Sequence, residues 1–369
     1  MAMKTHTGDQ LEVNHKKVPS VQEMAKKKLV RIPSRYVRDD QERSVASSNR
    51  EVPVIDMQRL INSNDHDDSI NIELQKLHFA AKEWGFFQLI NHGVSCSVVE
   101  KMKHEIQKFF DLPLEEKKKF EILPGDTDGF GQHFVVSDEQ KLDWADLFAL
   151  KTAPPYLRRP IFSKLSLSFR ATIEEYSEEV KELTMKVLKM LGKAVGIEEE
   201  EVKSLFEEGM QSMRMNYYPP CPQPELVMGL SPHSDASALT ILLQVNETEG
   251  LQVRKDGIWI PIIPLPNAFI VNIGDVFEIF SNGRYRSIEH RSVVSSEKER
   301  ISVATFHGPR WDGELGPANS LVTANGQPAF KKIGVDEFYE GYFNRELVGR
   351  TYVDTMRITS TEDDLKNAS

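Results

Sequence analysis

Two histidines and an aspartate carry the most specific chemical signal in the chain. His233-Ser234-Asp235 stands just before an apolar run, ALTILLQV, and in extended backbone residues i and i+2 point to one side, so an imidazole and a carboxylate can face a single metal. A second imidazole is offered by His290. Two imidazoles and one carboxylate on one face of iron leave positions open for a co-substrate and for dioxygen. The His-x-Asp spacing alone does not identify such a site. His66-Asp67-Asp68 repeats it inside the polar stretch SNDHDDS, where nothing would hold the pair rigid or dry.

Context separates the two. The segment NGRYRSIEHRSVVSSEKERISVATFHG reads as consecutive strands joined by NG and SSEK turns, and Asn282-Gly283 predicts a hairpin because a type I′ turn needs positive φ at both central residues. His290 falls on the first of these strands and Arg300 opens the next, beside it. Arg300-Ile301-Ser302 again has the i, i+2 spacing, which aims a guanidinium and a hydroxyl the same way. A guanidinium fork is permanently charged and clamps a carboxylate through two hydrogen bonds, so a dicarboxylate chelating the metal at one end would have its far end held here. Without that context Arg300 is a surface arginine after Glu297-Lys298-Glu299, and His290 a core histidine beside Glu289 and Arg291. His92 ends an apolar strand and reads as a capping or core residue, whereas His133 and His307 are candidates for lining a pocket. HExxH, a Walker phosphate loop and GxSxG do not occur, and Gly129-Phe130-Gly131 lacks the third glycine and following helix of a dinucleotide fingerprint.

The elements that must position these residues change character along the chain. Residues 1–50 are polar, interrupted by Pro19 and Pro33 and by Lys26-Lys27-Lys28, and read as an arm. VPVID (52–56) predicts a strand, 71–84 a helix, GFFQLINHG a buried strand, 97–110 a helix, and LPLEE another with proline near its first turn. Ile173, Tyr176, Val180, Leu183, Val187 and Leu191 recur at spacings of three and four, which predicts a long helix over about 168–194, stopped by Gly196 and followed by a short acidic one over 198–207. From Met213 the period becomes two and turns recur, so the second half is mostly β.

Composition bounds the class. At 369 residues and 40% hydrophobic content the chain can bury a large core. With 46 Lys+Arg against 56 Asp+Glu its formal charge is −10, the wrong sign for a protein whose main partner is nucleic acid or an anionic membrane, and a small-molecule partner is expected instead. Cys96 and Cys221 stand far apart and imply neither a disulfide framework nor a thiolate zinc site, which suits a reducing interior. MAMKTHTGDQ contains no apolar signal region and no stretch approaches the length of a membrane helix, so the expectation is a soluble, cytoplasmic protein. Asn246-Glu-Thr248 and Asn367-Ala-Ser369 match the glycosylation pattern by chance on this reading. The sequence carries no signal of oligomeric state.

Taken in order, PSVQEMAK, IPSRYVR, WGFFQLINHG, LPLEEKKKF, GFGQ, KLDWADLF, MRMNYYPPCPQP, GLSPHSD, GLQV, PLPNAFIVNIGD, SNGRYRSIEHR and EKERISVATFHGP span nearly the whole chain. With them the chain resembles the plant 2-oxoglutarate- and iron(II)-dependent dioxygenases of the senescence-related type, which include alkaloid O-demethylases. The resemblance implies an α+β fold, a double-stranded β-helix or jelly roll with flanking helices. It divides the chain into the arm (1–50), a mainly helical region with the first strands (51–210), a jelly-roll catalytic core (211–312) and a C-terminal segment packing near the active site (313–369). By similarity His233, Asp235 and His290 hold Fe(II), Arg300 and Ser302 take the distal carboxylate of 2-oxoglutarate, and Tyr218 with Asn216 assist its other end. O2 is the second co-substrate and ascorbate a helper. The implied substrate pocket is built from the segment Trp144 to Leu150, including Leu147 and Ala149, with Phe130, Phe134, Phe306 and His307.

The activity implied is hydroxylation or O-demethylation of a small aromatic or alkaloid-like plant specialised metabolite, with release of succinate and CO2. Flavonoid-oxidising relatives often carry an aromatic where this chain has Leu147 or Ala149, which points toward another methoxylated ring system. The alternatives are a flavonoid oxidase or desaturase, a catalytically silent binding protein on the same fold, and a metal hydrolase, which would need a general base and no clamp for a dicarboxylate.

Overall fold

Side chains alternate between the faces of a strand, and in this chain the alternation sorts an interior chamber from a helix-covered core. The computed structural model describes residues 16–27, 29–38, 51–61 and 68–358. His66 and Asn367 lie outside the described residues.

In chain order the strands are β1 (Val54–Asp56), β2 (Phe86–Ile90), β3 (Gly129–Gly131), β4 (Asp146–Ala153), β5 (Gln211–Tyr218) and β6 (Leu230–His233). They continue with β7 (Leu239–Gln244), β8 (Leu251–Lys255), β9 (Ile258–Pro261), β10 (Phe269–Ile273), β11 (His290–Ser292) and β12 (Arg300–His307). Eight form one sheet in the order β1-β2-β10-β7-β12-β5-β4-β3, and four form a second in the order β6-β11-β8-β9. Among the strands of the described residues only β1 and β2 pair in parallel. The two sheets make the jelly roll, with helices on the outer face of the larger one.

Residue parity follows that arrangement. Ile301 and Val303 of β12, Met213, Met215 and Tyr217 of β5, and Ile241 of β7 join the helix-side core. Ala304, Leu242 and Ile270, one position out of phase, pack with Leu251 and Val253 of the small sheet. The helix Leu167–Val195 lays Ile173, Tyr176, Val180, Leu183, Val187 and Leu191 against the larger sheet. Burying each such side chain contributes about 1.5–3 kcal/mol before conformational entropy is counted. Ser166 caps this helix by accepting the Phe169 N–H, and Gly196, at φ 87°, ends it.

Two expectations need correction. Asn282 and Gly283 do have positive φ, 53° and 76°, but they terminate the helix Asp275–Phe280, with the Gly283 N–H bonded to the Glu278 carbonyl, and no hairpin forms. Consecutive apolar residues in DVFEIF are buried on all sides, so their periodicity could not distinguish helix from strand. β12 is not beside β11: it pairs with β5 and β7 in the larger sheet, and β11 pairs with β6 and β8 in the smaller. Arg300 therefore faces the histidine strand across the sandwich. The predicted helix over 71–84 is α-helical over Asp68–Phe79 and widens to a π-turn over Ala80–Trp84. Gly85 closes it at φ 60°, where a β-carbon would lie 2.6 Å from the carbonyl oxygen of Arg286.

Candidate metal centre

His233 ends β6 and His290 begins β11, and the two are direct cross-strand partners. Their rings are 4.2 Å apart, and Asp235, just beyond β6, brings Oδ1 to 3.4 Å from His233 Nε2 and 3.7 Å from His290 Nε2. The three donor atoms lie within 4.8 Å of one another, and all three residues are buried.

The groups behind these donors complete the arrangement. His233 Nδ1 is 2.8 Å from the Ser231 carbonyl and His290 Nδ1 is 3.2 Å from the Ile288 carbonyl, so each Nδ1 donates and each Nε2 keeps its lone pair for the shared space. Thr240 Oγ1 and Asn272 Nδ2 donate to Asp235 Oδ2 at 2.7 and 2.8 Å, which leaves Oδ1 facing the imidazoles. Burial works to raise the Asp235 carboxyl, but the two imidazoles and the Asn272 amide outweigh it and hold it well below the usual carboxylate range. Burial, with His233 nearby, pushes the His290 imidazole down to about 4. Around neutrality the site therefore offers an ionised carboxylate and a neutral imidazole from these two, the states a metal requires. This facial set of two nitrogens and one oxygen fits Fe(II) with open positions, and it contains no thiolate that would favour a closed zinc site.

Two cavities meet at the triad. The inner one lies between the sheets and reaches Asn216, Tyr218, Ser292, Arg300 and Ser302. At its end Arg300 is 2% exposed, with its guanidinium 5.1 Å over the Tyr218 ring, Nη2 donating to Gln244 Oε1 at 2.9 Å and Nη1 to Ser292 Oγ at 3.3 Å. Its Nε has no partner, and no carboxylate pairs with it among the described residues. A buried cation without an anion is costly unless a ligand supplies one. Asn216 faces Ser302 and Tyr218 faces Arg300 across the β5–β12 ladder, so Tyr218 belongs to the guanidinium end of the chamber and not to the metal end as expected.

The outer cavity opens to solvent and is lined mainly by apolar side chains. It receives Phe134, Ala149 and Phe306 from the expected pocket, together with His133. Three of the other expected residues lie elsewhere, each for a reason of strand parity or cover. Phe130 faces the helices and packs against Phe109, Leu147 is covered by Ile122, and His307 points to the helix side of β12. His92 packs against Phe269 with the rings tilted at 43° and accepts the Val94 N–H, a local cap at the end of β2.

Sequence reasoning missed Thr240 and Asn272, which orient Asp235, and Arg214, which lines both cavities with an unpartnered buried Nε. Arg214-x-Asn216-x-Tyr218 has the period of a strand face, and this was the available signal. It also missed Tyr339, Tyr342, Phe343 and Leu347, which close the outer cavity from the C-terminal segment. Their contact with the site is made only by tertiary packing.

Burial of His307 has a measurable cost. Neither ring nitrogen has a hydrogen-bond partner among the described residues, and burial pushes the imidazole down to about 3. The unfolded chain takes up this proton near pH 6.5 while the folded chain resists it, so stability falls as pH drops from there toward 3. His307→Leu is expected to gain about 2 kcal/mol more over the parent at pH 5.0 than at pH 7.5 in urea unfolding. An equal margin at both pH values would contradict this.

Comparison with known proteins bears on the same residues. Residues 209–309 match the 2OG-Fe(II) oxygenase superfamily, and residues 52–166 match the non-haem dioxygenase in morphine synthesis N-terminal. The chain is 54% identical over 343 residues to oxoglutarate-dependent flavonoid 7-O-demethylase 1 of Ocimum basilicum, covering 92% of this chain and 91% of that one. It is 48% identical over 357 residues to thebaine 6-O-demethylase of Papaver somniferum, covering 94% and 97%. Among solved structures it is similar to the crystal structure of JOX2 in complex with 2OG, Fe and JA, with a TM-score of 0.84 and 34% identity over 93% of this chain and 99% of that one.

Proposed function

The chain belongs to the 2OG-Fe(II) oxygenase superfamily, and from that membership we propose that it removes an O-methyl group from a small phenolic ring system, with His233, Asp235 and His290 as the iron ligands. It is an Fe(II)- and 2-oxoglutarate-dependent dioxygenase acting on specialised metabolites. In the demethylation, one 2-oxoglutarate and one O2 are consumed as a methyl ether becomes a phenol, and formaldehyde, succinate and CO2 are released. Iron, when bound, supplies the activation of dioxygen.

The observation that carries this reading is Arg300, a buried guanidinium without a carboxylate partner among the described residues, at the end of a chamber that begins at the triad. Ser302, on the same face of β12, adds a hydroxyl to the clamp, and Asn216 and Tyr218 on the neighbouring strand β5 continue the same chamber wall. With its far carboxylate at Arg300, the co-substrate would extend along this chamber toward the triad. Ala304, Leu242 and Phe86 keep the rest of the chamber dry.

The substrate belongs in the outer cavity. Phe134 stacks on Phe343 with the rings 5.9 Å apart, and Trp311 on Tyr339 at 6.3 Å, a wall suited to flat rings. Arg214 places a positive charge where this cavity meets the triad. That charge suits a substrate with a phenolate, carbonyl or carboxylate and disfavours a protonated amine. Relatives act on both flavonoids and alkaloids, and Arg214 favours the flavonoid-like class here, against the reading of Leu147 and Ala149 made from sequence. Two free thiols, Cys96 and Cys221, suit a reducing compartment, and we place the enzyme in the cytosol. Among the described residues no helix is long and apolar enough to cross a membrane.

The test is incubation with Fe(II), 2-oxoglutarate and matched panels of methoxylated phenolics and methoxylated amines. Formaldehyde and succinate should appear in equal amounts with the phenolics, and Arg214→Met should lower kcat/KM for them about 10–100-fold, the worth of a charge-assisted hydrogen bond. Turnover of the amines alone, or an Arg214→Met variant as active as the parent, would refute the substrate class. No substrate-dependent succinate with either panel would refute the activity.

A further inference from the structure

A single buried carboxylate joins three segments that reach the metal triad. Glu278, on the helix Asp275–Phe280, is fully buried. Arg350 Nη2 donates to its two oxygens at 2.9 and 2.7 Å, Arg357 donates to Oε1, and the Ser287 N–H donates to Oε2 at 2.7 Å.

Arg350, Ser287 and the helix that carries Glu278 each connect to a metal ligand. Arg350 follows Gly349, which forms an isolated parallel bridge with His233; the Gly349 N–H bonds the Pro232 carbonyl at 2.9 Å, and the Ser234 N–H bonds the Gly349 carbonyl at 3.2 Å. Ser287 precedes Ile288, whose carbonyl orients His290. The helix that carries Glu278 starts by donating the Asp275 N–H to the Asp235 carbonyl at 2.7 Å and the Val276 N–H to the Ser237 carbonyl at 3.1 Å. A β-carbon at Gly274 would overlap the Ser237 carbonyl, so only glycine allows this approach. The segment leading to Arg350 also carries Tyr339, Tyr342, Phe343 and Leu347, which close the outer cavity.

We infer that Glu278 is a positioning residue that couples closure of the outer cavity by the C-terminal segment to the geometry of the metal ligands, through Arg350 and the Gly349–His233 bridge. The inference rests on the triad being a metal site. Coupling of this kind is reciprocal: metal should order the segment, and loosening the segment should weaken metal. Groups that orient ligands in this way typically change metal affinity about 10–100-fold when removed.

The experiment uses the full chain, with cobalt(II) alone as the probe, read by its visible absorption and by hydrogen exchange of the backbone. Cobalt should protect amides of residues 335–353 in the parent. Arg350→Met should lower cobalt affinity about tenfold and abolish that protection while exchange in the Leu167–Val195 helix stays unchanged. Arg350→Lys should restore part of both. Should Arg350→Met fail to fold, Glu278→Gln, which keeps the shape of the side chain and one acceptor, is read in the same way. A folded variant that binds cobalt as the parent does would overturn the coupling while leaving the metal site standing. Loss of protection throughout the chain in both variants would assign Glu278 to folding alone. No cobalt binding by the parent would overturn the metal site and the coupling with it.

Discussion

Arg300→Met is expected to lower 2-oxoglutarate affinity while leaving the unliganded protein as stable as the parent or more so. The two effects have opposite signs because the guanidinium is buried at 2% exposure, and burial pushes it below its ordinary value with no carboxylate partner among the described residues to compensate. In the free protein Met removes an uncompensated charge and fills similar volume, a change that in other proteins is neutral or stabilising. In the complex it removes one partner of a buried charge pair, which costs about 2–5 kcal/mol, or roughly 30- to 5,000-fold in affinity. Calorimetric titration with 2-oxoglutarate and a thermal melt of the unliganded protein read the two effects separately. A hydrolase using the same His and Asp residues would show the stability effect and no dependence on 2-oxoglutarate. Unchanged 2-oxoglutarate affinity would remove the observation on which the proposed function rests.

The second large effect is expected at Asp235. Asp235→Asn keeps the side chain's shape but replaces the anionic oxygen between His233 and His290 with a neutral group, and it disturbs a carboxylate that accepts from both Thr240 and Asn272. Metal ligands must be deprotonated donors, so metal affinity should fall by at least about 100-fold and succinate production with it. Thr240→Val should act in the same direction through the hydrogen bond alone, with a loss of about tenfold in metal affinity. Equilibrium dialysis against Fe(II) under anaerobic conditions measures both. Retention of metal by Asp235→Asn would show that the triad is not the binding site.

What could be read in the chain itself was set by local periodicity and donor chemistry. The stripe from Ile173 to Leu191 predicted the helix Leu167–Val195 within a residue at each end, because burial of one face is written into spacings of three and four. The i, i+2 spacings of His233-x-Asp235 and Arg300-x-Ser302 predicted shared faces, since a strand's side chains alternate whatever the rest of the fold does. Donor type was enough to name a metal site and an anion clamp. It was not enough to discard His66-x-Asp68 without appeal to its polar surroundings.

Pairing between distant segments lay beyond that information. Nothing in the residues around Arg300 tells that β12 joins the larger sheet while β11 joins the smaller, so that the guanidinium faces the histidines across a chamber and does not sit beside them. Asn282-Gly283 has the dihedral preferences of a hairpin turn, but tertiary burial of DVFEIF on all sides made its neighbours a helix. Parity within β3 and β12 moved Phe130 and His307 out of the pocket, and Arg214 entered it on the same principle from β5. The sequence by itself determined which atoms can bind metal and clamp a carboxylate, because that depends on side-chain chemistry and strand period. Only the tertiary structure decided which of them share a cavity, because that depends on sheet pairing between residues far apart in the chain.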